Sequence, residues 1–443
     1  MVYSPNRPIP LSRNDAWTAG LLLLFIAAAC WWASSQIDSR IVMDNRLTFN
    51  AFDVWFEGDC PRTFINITTR YGGKDRTIIH PLFSLVIFPF VKILTAARLQ
   101  PLAAVRALMS AVAGLWGAGI YALLRLIRLR RLEAVLFTLT AASSAAAMFW
   151  FTVPETWAFG SLAILAALLL AAVSDYRPVS AVWFFAAQTA GWAITLSNVG
   201  VSWAATFFAL PLRKAAGITA AALLAVAVLF GVERAAFRTT QAHLPFYLHE
   251  YILPAGAQGP LVIMQSFFGD TLIMPDARFI ARNSDPGVKL ITQNAPLPEN
   301  DAAGVAATWL WLALLVAGTV GIRKNDGEDR TLRLTVIVSL LGQLAMHIIY
   351  GDETFLYSLH FLPLLIALAA YASRSLPRPV VPAFAAALLA CTLTSNVDAF
   401  RHTTLHLRNV IDYNAEAEHA VWAQRDWRLK NGKLIRTGID LDD

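Results

Sequence analysis

Stretches of roughly 18 to 22 apolar residues recur along this chain, each broken by a short basic or Pro/Gly-containing segment. About 20 apolar residues make a helix as long as a bilayer core of about 30 Å. Inside hydrocarbon every backbone N–H and C=O must be satisfied within the protein, which leaves helices as the way such segments cross. Composition points the same way: 57% of the 443 residues are hydrophobic and 15% are charged, against about 25% charged in a soluble domain. Mean hydropathy is +0.52. The expected fold is all-α, a polytopic transmembrane protein with about 11 spanning helices. The net charge of +6 then marks helix ends facing the cytoplasm and not a nucleic-acid partner.

Candidate spans are 16–34, 102–124, 134–151, 156–173, 180–196, 198–211, 215–232, 303–322, 331–350, 355–372 and 380–396. The segment RLIRLRR carries four arginines over 125–131, and Arg213-Lys214, RKNDGEDR and SRSLPRP are also basic. The positive-inside rule puts these on the cytoplasmic side, together with the N-terminus near Arg7 and Arg13. Helix 16–34 then leads outward and helix 102–124 inward. The apolar run HPLFSLVIFPFVKIL (80–94) between them cannot span. It reads as an interfacial helix broken by Pro81 and Pro89. The chain divides into a transmembrane domain, 1–396, and an extramembrane tail, 397–443. The domain includes a first outer loop over 35–101 and a large outer loop over 233–302. AAAC at 27–30 faintly resembles a lipoprotein cleavage site, but Trp31-Trp32 follow, and an uncleaved helix is the expectation. Three cysteines are too few for a disulfide framework.

In this topology the polar residues collect on the outer face. Asp53, Glu57 and Asp59 in FDVWFEGDC follow the first helix. If helical, Asp53 and Glu57 share a face, where like charges repel unless a cation, proton or cationic substrate uses them. The alternative is a solvated acidic loop with Asp59 capping a turn before Pro61. Arg62, Arg70, Lys74 and Arg76 follow, suited either to an anionic headgroup or to mutual ion pairs. His80 opens the interfacial helix. Glu155, in FTVPETW, opposes a helix dipole or points into a cavity. Asp352 and Glu353 stand before an apolar helix, and His360 lies within it, nearly in line with Glu353. Ionisable groups inside a span are costly and are candidates for function. His347 sits near the outer end of the preceding helix. No Walker motif, GxGxxG, HExxH or CxxC pair is present in the sequence.

From 53 to 131 the layout resembles the GT-C glycosyltransferases, such as the protein O-mannosyltransferases and the aminoarabinose transferases of lipid A. The resemblance rests on the acidic outer loop, Pro81-Leu82 opening the interfacial helix, and Arg106-Ala107-Leu108-Met109-Ser110-Ala111 opening a helix that ends in RLRR. It is specific over about 80 residues. The adjacent Asp-Glu pair of the mannosyltransferase loop is not there; the three carboxylates are spread out. The resemblance implies transfer of a sugar from a polyprenyl-phosphate donor to a glycan, lipid or protein acceptor, with no nucleic-acid partner. Asp59, with Asp53 and Glu57 as alternatives, would be the catalytic acid–base group. Arg62, Arg76, His80, Glu155, Glu353 and His360 would bind substrate. A divalent metal, Mg2+ or Mn2+, is compatible with the acidic group. The Ala- and Arg-rich composition has a bacterial character, placing the protein in the inner membrane of the cell envelope with a periplasmic site. The competing class is a proton-coupled transporter or lipid flippase, which predicts matched repeats and charges near several helix midpoints; a non-catalytic scaffold is a third.

Overall fold

A computed structural model describes residues 7–43, 54–72, 77, 79–240, 259–276, 278–281, 288–293, 295–296, 301–324, 329–350 and 353–430. Asp53, Lys74, Arg76 and Asp352 lie outside the described residues.

The helices follow one another as α1 (Arg13–Gln36), α2 (Ser39–Met43), α3 (Cys60–Thr68), α4 (Phe83–Ala96), α5 (Pro101–Leu126), α6 (Arg131–Ala142), α7 (Ala145–Trp150), α8 (Thr156–Ser174), α9 (Ala181–Ile194), α10 (Val199–Ala209), α11 (Leu212–Ala236), α12 (Pro260–Met264), α13 (Ala302–Arg323), α14 (Arg330–Ile349), α15 (Ser358–Ala370) and α16 (Val380–Lys430). A two-stranded antiparallel hairpin, β1 (Arg278–Ala281) and β2 (Val288–Ile291), pairs Arg278 with Ile291. Among the described residues, eight helices are long and apolar enough to cross a membrane, which fits an all-α multi-pass membrane protein. The α15 region is central, with 89% of its apolar window buried, whereas α1 and α11 are peripheral at 17% and 22%. Trp17, Leu21, Leu24 and Phe25 of α1 are exposed, a surface that lipid solvates and water does not.

Three expected spans differ. The segment 134–151 is not one helix but α6 and α7, interrupted at Ser143-Ser144. The Ser144 hydroxyl accepts the Ala147 N–H and starts a new helix. The amides of Ala145 and Ala146 donate to the carbonyls of Leu272 and Thr271, and Asn396 donates to Ser143 and Leu272. The segments 180–196 and 198–211 are the short helices α9 and α10, joined by a 3-10 turn at Leu196–Asn198. At 1.5 Å per residue, their 14 and 11 residues fall short of a bilayer core. Helix α4 is also 14 residues long, and Pro89 sits within it without breaking it. The expected break is confined to Pro81, which precedes the helix. The Leu85 amide, in the first turn where no intrahelical acceptor exists, donates to the buried Glu233 at the end of α11. At the far end of the chain, α16 runs through residue 397 without interruption.

Candidate functional site

The acidic stretch is held by its aromatics. Trp55 and Phe56 are fully buried. The Trp55 indole donates to the Phe149 carbonyl, and the Phe56 ring packs edge-on to Phe149, Trp150 and Phe355. With its ends pinned, the chain turns tightly: Phe56 and Glu57 have φ of 50° and 63°. Such left-handed backbone is costly for side chains of this kind and persists only when the surroundings over-determine it. Glu57 is therefore in a turn and not on a helix; Asp53, with which it would share a helical face, lies outside the described residues. A Cβ on Gly58 would stand 3.0 Å from both the Trp150 ring and the Trp55 carbonyl, so a larger residue here requires these neighbours to give by a few tenths of an ångström. The Val54 carbonyl accepts from Leu290 of β2, which backs the turn with the hairpin.

Asp59 emerges from this turn as the residue before α3, with Pro61 in the first turn of the helix. Its side chain does not cap the helix. It pairs instead with Arg62, one turn on. The expectation of a simple turn cap is thus replaced by an ion pair. Half-buried His80 reaches the unwound end of α9: its Nδ1 is 2.8 Å from the Ile194 carbonyl and 3.2 Å from the Thr195 hydroxyl. A carbonyl only accepts, so Nδ1 carries the proton, and Nε2 of a neutral ring is the acceptor nitrogen. Glu155 precedes α8, is 2% exposed, and accepts the Thr156 N–H.

These residues surround one cavity of about 40 Å³. Asp59, Arg62, Thr63 and Asn66 come from α3 and its lead-in, Thr77, His80, Phe83 and Ser84 from the start of α4, and Glu155, Thr156 and Trp157 from the start of α8. That volume has room for a few polar atoms, those of a phosphoryl with a hydroxyl beside it, and not for a whole sugar.

The other expected residues lie elsewhere. Glu57 does not line the cavity. Glu353 accepts the N–H groups of Thr292 and Gln293 and the Thr292 hydroxyl, so it anchors the chain after β2. It also precedes a 3-10 turn, Thr354–Tyr357, and does not share a continuous helix with His360. His360 is fully buried one layer behind the cavity, with Nε2 3.4 Å from the Asn198 amide and its ring 5.4 Å from Trp157. His347 is likewise buried, against Tyr357. Cys60 is buried. Arg70 is exposed and sits over Phe88. Among the described residues no group of three His, Cys, Asp or Glu side chains is placed to hold a metal ion.

Sequence reasoning passed over Thr156 and Trp157, although both stand in the PETW motif. It also passed over Asp270, which ends a π-helical segment, Gln265–Asp270, and is 1% exposed. Burial first, and the charge of Glu353 after it, push its carboxyl up to about 7. A π segment is a feature common at functional sites.

These features define a class: a helical membrane protein with a small acid–base cavity at one end of its bundle. Neither a family model nor a curated protein matches the chain at a significant level.

Proposed function

We propose that this protein is a GT-C-type glycosyltransferase that moves a sugar from a polyprenyl-phosphate donor to a hydroxyl acceptor at the outer, periplasmic face of a bacterial inner membrane. The single observation that carries this reading is the convergence of Asp59, Arg62, His80 and Glu155, from three separate stretches of the chain, on one cavity.

In this reading the phosphate of the donor takes the cavity. Arg62 and His80 meet the phosphate oxygens, and the polyprenyl tail stays in lipid. The Asp59 carboxylate removes the proton of the acceptor hydroxyl as its oxygen attacks the anomeric carbon. The bond between that carbon and the phosphate oxygen breaks, and its electron pair stays on the phosphate. Arg62 stabilises the charge that builds there, and His80, when protonated, donates to it. The Asp59–Arg62 ion pair holds the base beside the phosphate subsite before substrate arrives. Glu155 orients hydroxyl groups from the opposite wall. Asp53 and Arg76, outside the described residues, remain alternatives for base and phosphate contact.

The test uses purified protein in detergent with synthetic polyprenyl-phosphate hexoses and a panel of hydroxyl acceptors. The expected result is acceptor-dependent release of polyprenyl phosphate, lost in Asp59→Asn while the melting temperature is kept. Absence of both turnover and donor-induced thermal shift across the lipid series would overturn the reading and favour proton-coupled transport.

A further inference from the structure

The cavity has two chemically different walls. On the wall of α3, Arg62 is a charged donor suited to an anion. On the wall of α8, next to the Glu155 carboxylate, stand Thr156 and Trp157, which are neutral donors. Both are more than nine-tenths buried, at 5% and 7% exposed. Both line the cavity. Among the described residues neither the Thr156 hydroxyl nor the Trp157 indole N–H has a hydrogen-bond partner. A buried donor left unmade costs about 1–3 kcal/mol, and buried Trp N–H groups ordinarily find an acceptor. Two such groups side by side at a cavity wall mark a place where a ligand completes the bonding.

The indole is not free to turn away. Its ring packs edge-on to His80 at 6.0 Å, to His360 at 5.4 Å and to Tyr357 at 4.9 Å. Behind it, Gly160 lets α8 close on the His360 ring and the Asn198 amide, since a Cβ there would overlap both. His360 thus acts through Trp157 as a positioning residue. The indole offers one donor, and the threonine offers a donor and an acceptor, with no charge. That pairing suits the hydroxyls and ring oxygen of a sugar. A phosphate draws more from charge-assisted donors, which the facing wall supplies.

We propose that Thr156 and Trp157 form the subsite for the hydroxyl-bearing sugar ring of the donor, beside a phosphate subsite at Arg62 and His80. This rests on the glycosyltransferase reading above. It divides the donor between the two walls. Because the cavity has room for only a few polar atoms beside the phosphate oxygens, most of the sugar lies outside it, and the subsite grips the ring by one edge.

The experiment measures affinity of the full chain in detergent for two lipids of the same chain length, polyprenyl phosphate and polyprenyl-phosphate hexose. Trp157→Phe keeps the ring and removes the N–H; Thr156→Val keeps the shape and removes the hydroxyl. Each is expected to weaken the hexosyl lipid about fivefold, the worth of one hydrogen bond, and to leave the sugar-free lipid within about twofold. A second measurement needs no variant: the parent is expected to lose about fivefold toward at least one monodeoxy-hexose donor. Equal weakening of both lipids would assign these groups to the phosphate and overturn the proposal. So would unchanged affinities in both variants, or deoxy donors that all bind like the parent. In those three cases the parent still binds polyprenyl phosphate and the glycosyltransferase reading stands. A parent that binds neither lipid overturns that reading and this subsite together.

Discussion

The two ends of the helix bundle treat buried polarity in opposite ways. At the Arg-rich end, Asp15 accepts from the Ser12 amide and hydroxyl, the Tyr121 hydroxyl, Arg125 and Arg131. Asp175 accepts two amides in the first turn of the neighbouring α14, from Thr331 and Leu332. Asp329 accepts from Tyr371 and Arg374. Each carboxylate is saturated by groups from other parts of the chain, so the end works as a latch between helices. At the cavity end, the Thr156 hydroxyl, the Trp157 indole N–H and the Ser358 hydroxyl are buried without a hydrogen-bond partner among the described residues. Charges at the latched end are used up by the fold, whereas polarity at the cavity end is left over for something else. The same residue type, aspartate beside arginine, therefore means opposite things at Asp15 and at Asp59.

The sharpest way to break this contrast is to neutralise one aspartate at each end. Asp15→Asn leaves Arg125 and Arg131 facing a neutral amide in a site where Asp15 is 2% exposed. Removing one partner of a buried pair costs about 3–5 kcal/mol; with Arg131 half exposed, about 3 is expected. Asp59→Asn disrupts a pair whose side chains are 17% and 25% exposed, worth under about 1 kcal/mol. Denaturant unfolding in detergent should rank them in that order, with activity lost in Asp59→Asn at nearly full stability. Equal destabilisation would mean that both ends are structural.

A second variant probes how the cavity wall is held. Gly160→Ala places a methyl against the His360 ring and the Asn198 amide. Overpacking of this kind costs about 1–3 kcal/mol, and about 2 is expected here because both neighbours are buried. The variant should also weaken the hexosyl lipid more than the sugar-free lipid, since it shifts Trp157. A loss of stability with no change in lipid preference would detach His360 from the site.

Much of this architecture is legible in the sequence because a bilayer imposes a length. Helices α1, α5, α8 and α11 start and end within a few residues of their apolar runs. The breaks are not legible, because their causes are distant. The interruption at Ser143-Ser144 depends on carbonyls of Leu272 and Thr271 and on Asn396. The unwinding at Ile194–Asn198 is tied to the Ile194 contact with His80 and to the Leu196 amide, which donates to Ile79. Within the site, Asp59, Arg62, His80 and Glu155 stand out as charged residues in greasy surroundings. Glu353 stands out equally, yet its acceptors are spent on the backbone after β2, a contact that spacing does not encode. Trp157 was hidden by the opposite effect: tryptophan at a helix end is so common as a membrane anchor that its place in the cavity carries no local mark.

The smallest expected effect concerns Asp270, which belongs to neither pattern. It is buried, and its carboxyl is raised from 3.8 to about 7. A folded-state value above the unfolded one means that the native protein holds the proton more tightly. The resulting stability is complete below about pH 4 and is lost as pH rises through 7. Between pH 6 and 8 this one group takes away about 1 kcal/mol beyond what is already lost below pH 6. Asp270→Asn mimics the protonated form and removes the titration. Melting temperatures of the parent and Asp270→Asn should therefore converge only near pH 4, with the variant higher at pH 6 and the gap still widening toward pH 8. A parent curve parallel to the variant's would show that Asp270 is ionised and paired, and would make it a fourth member of the latch type.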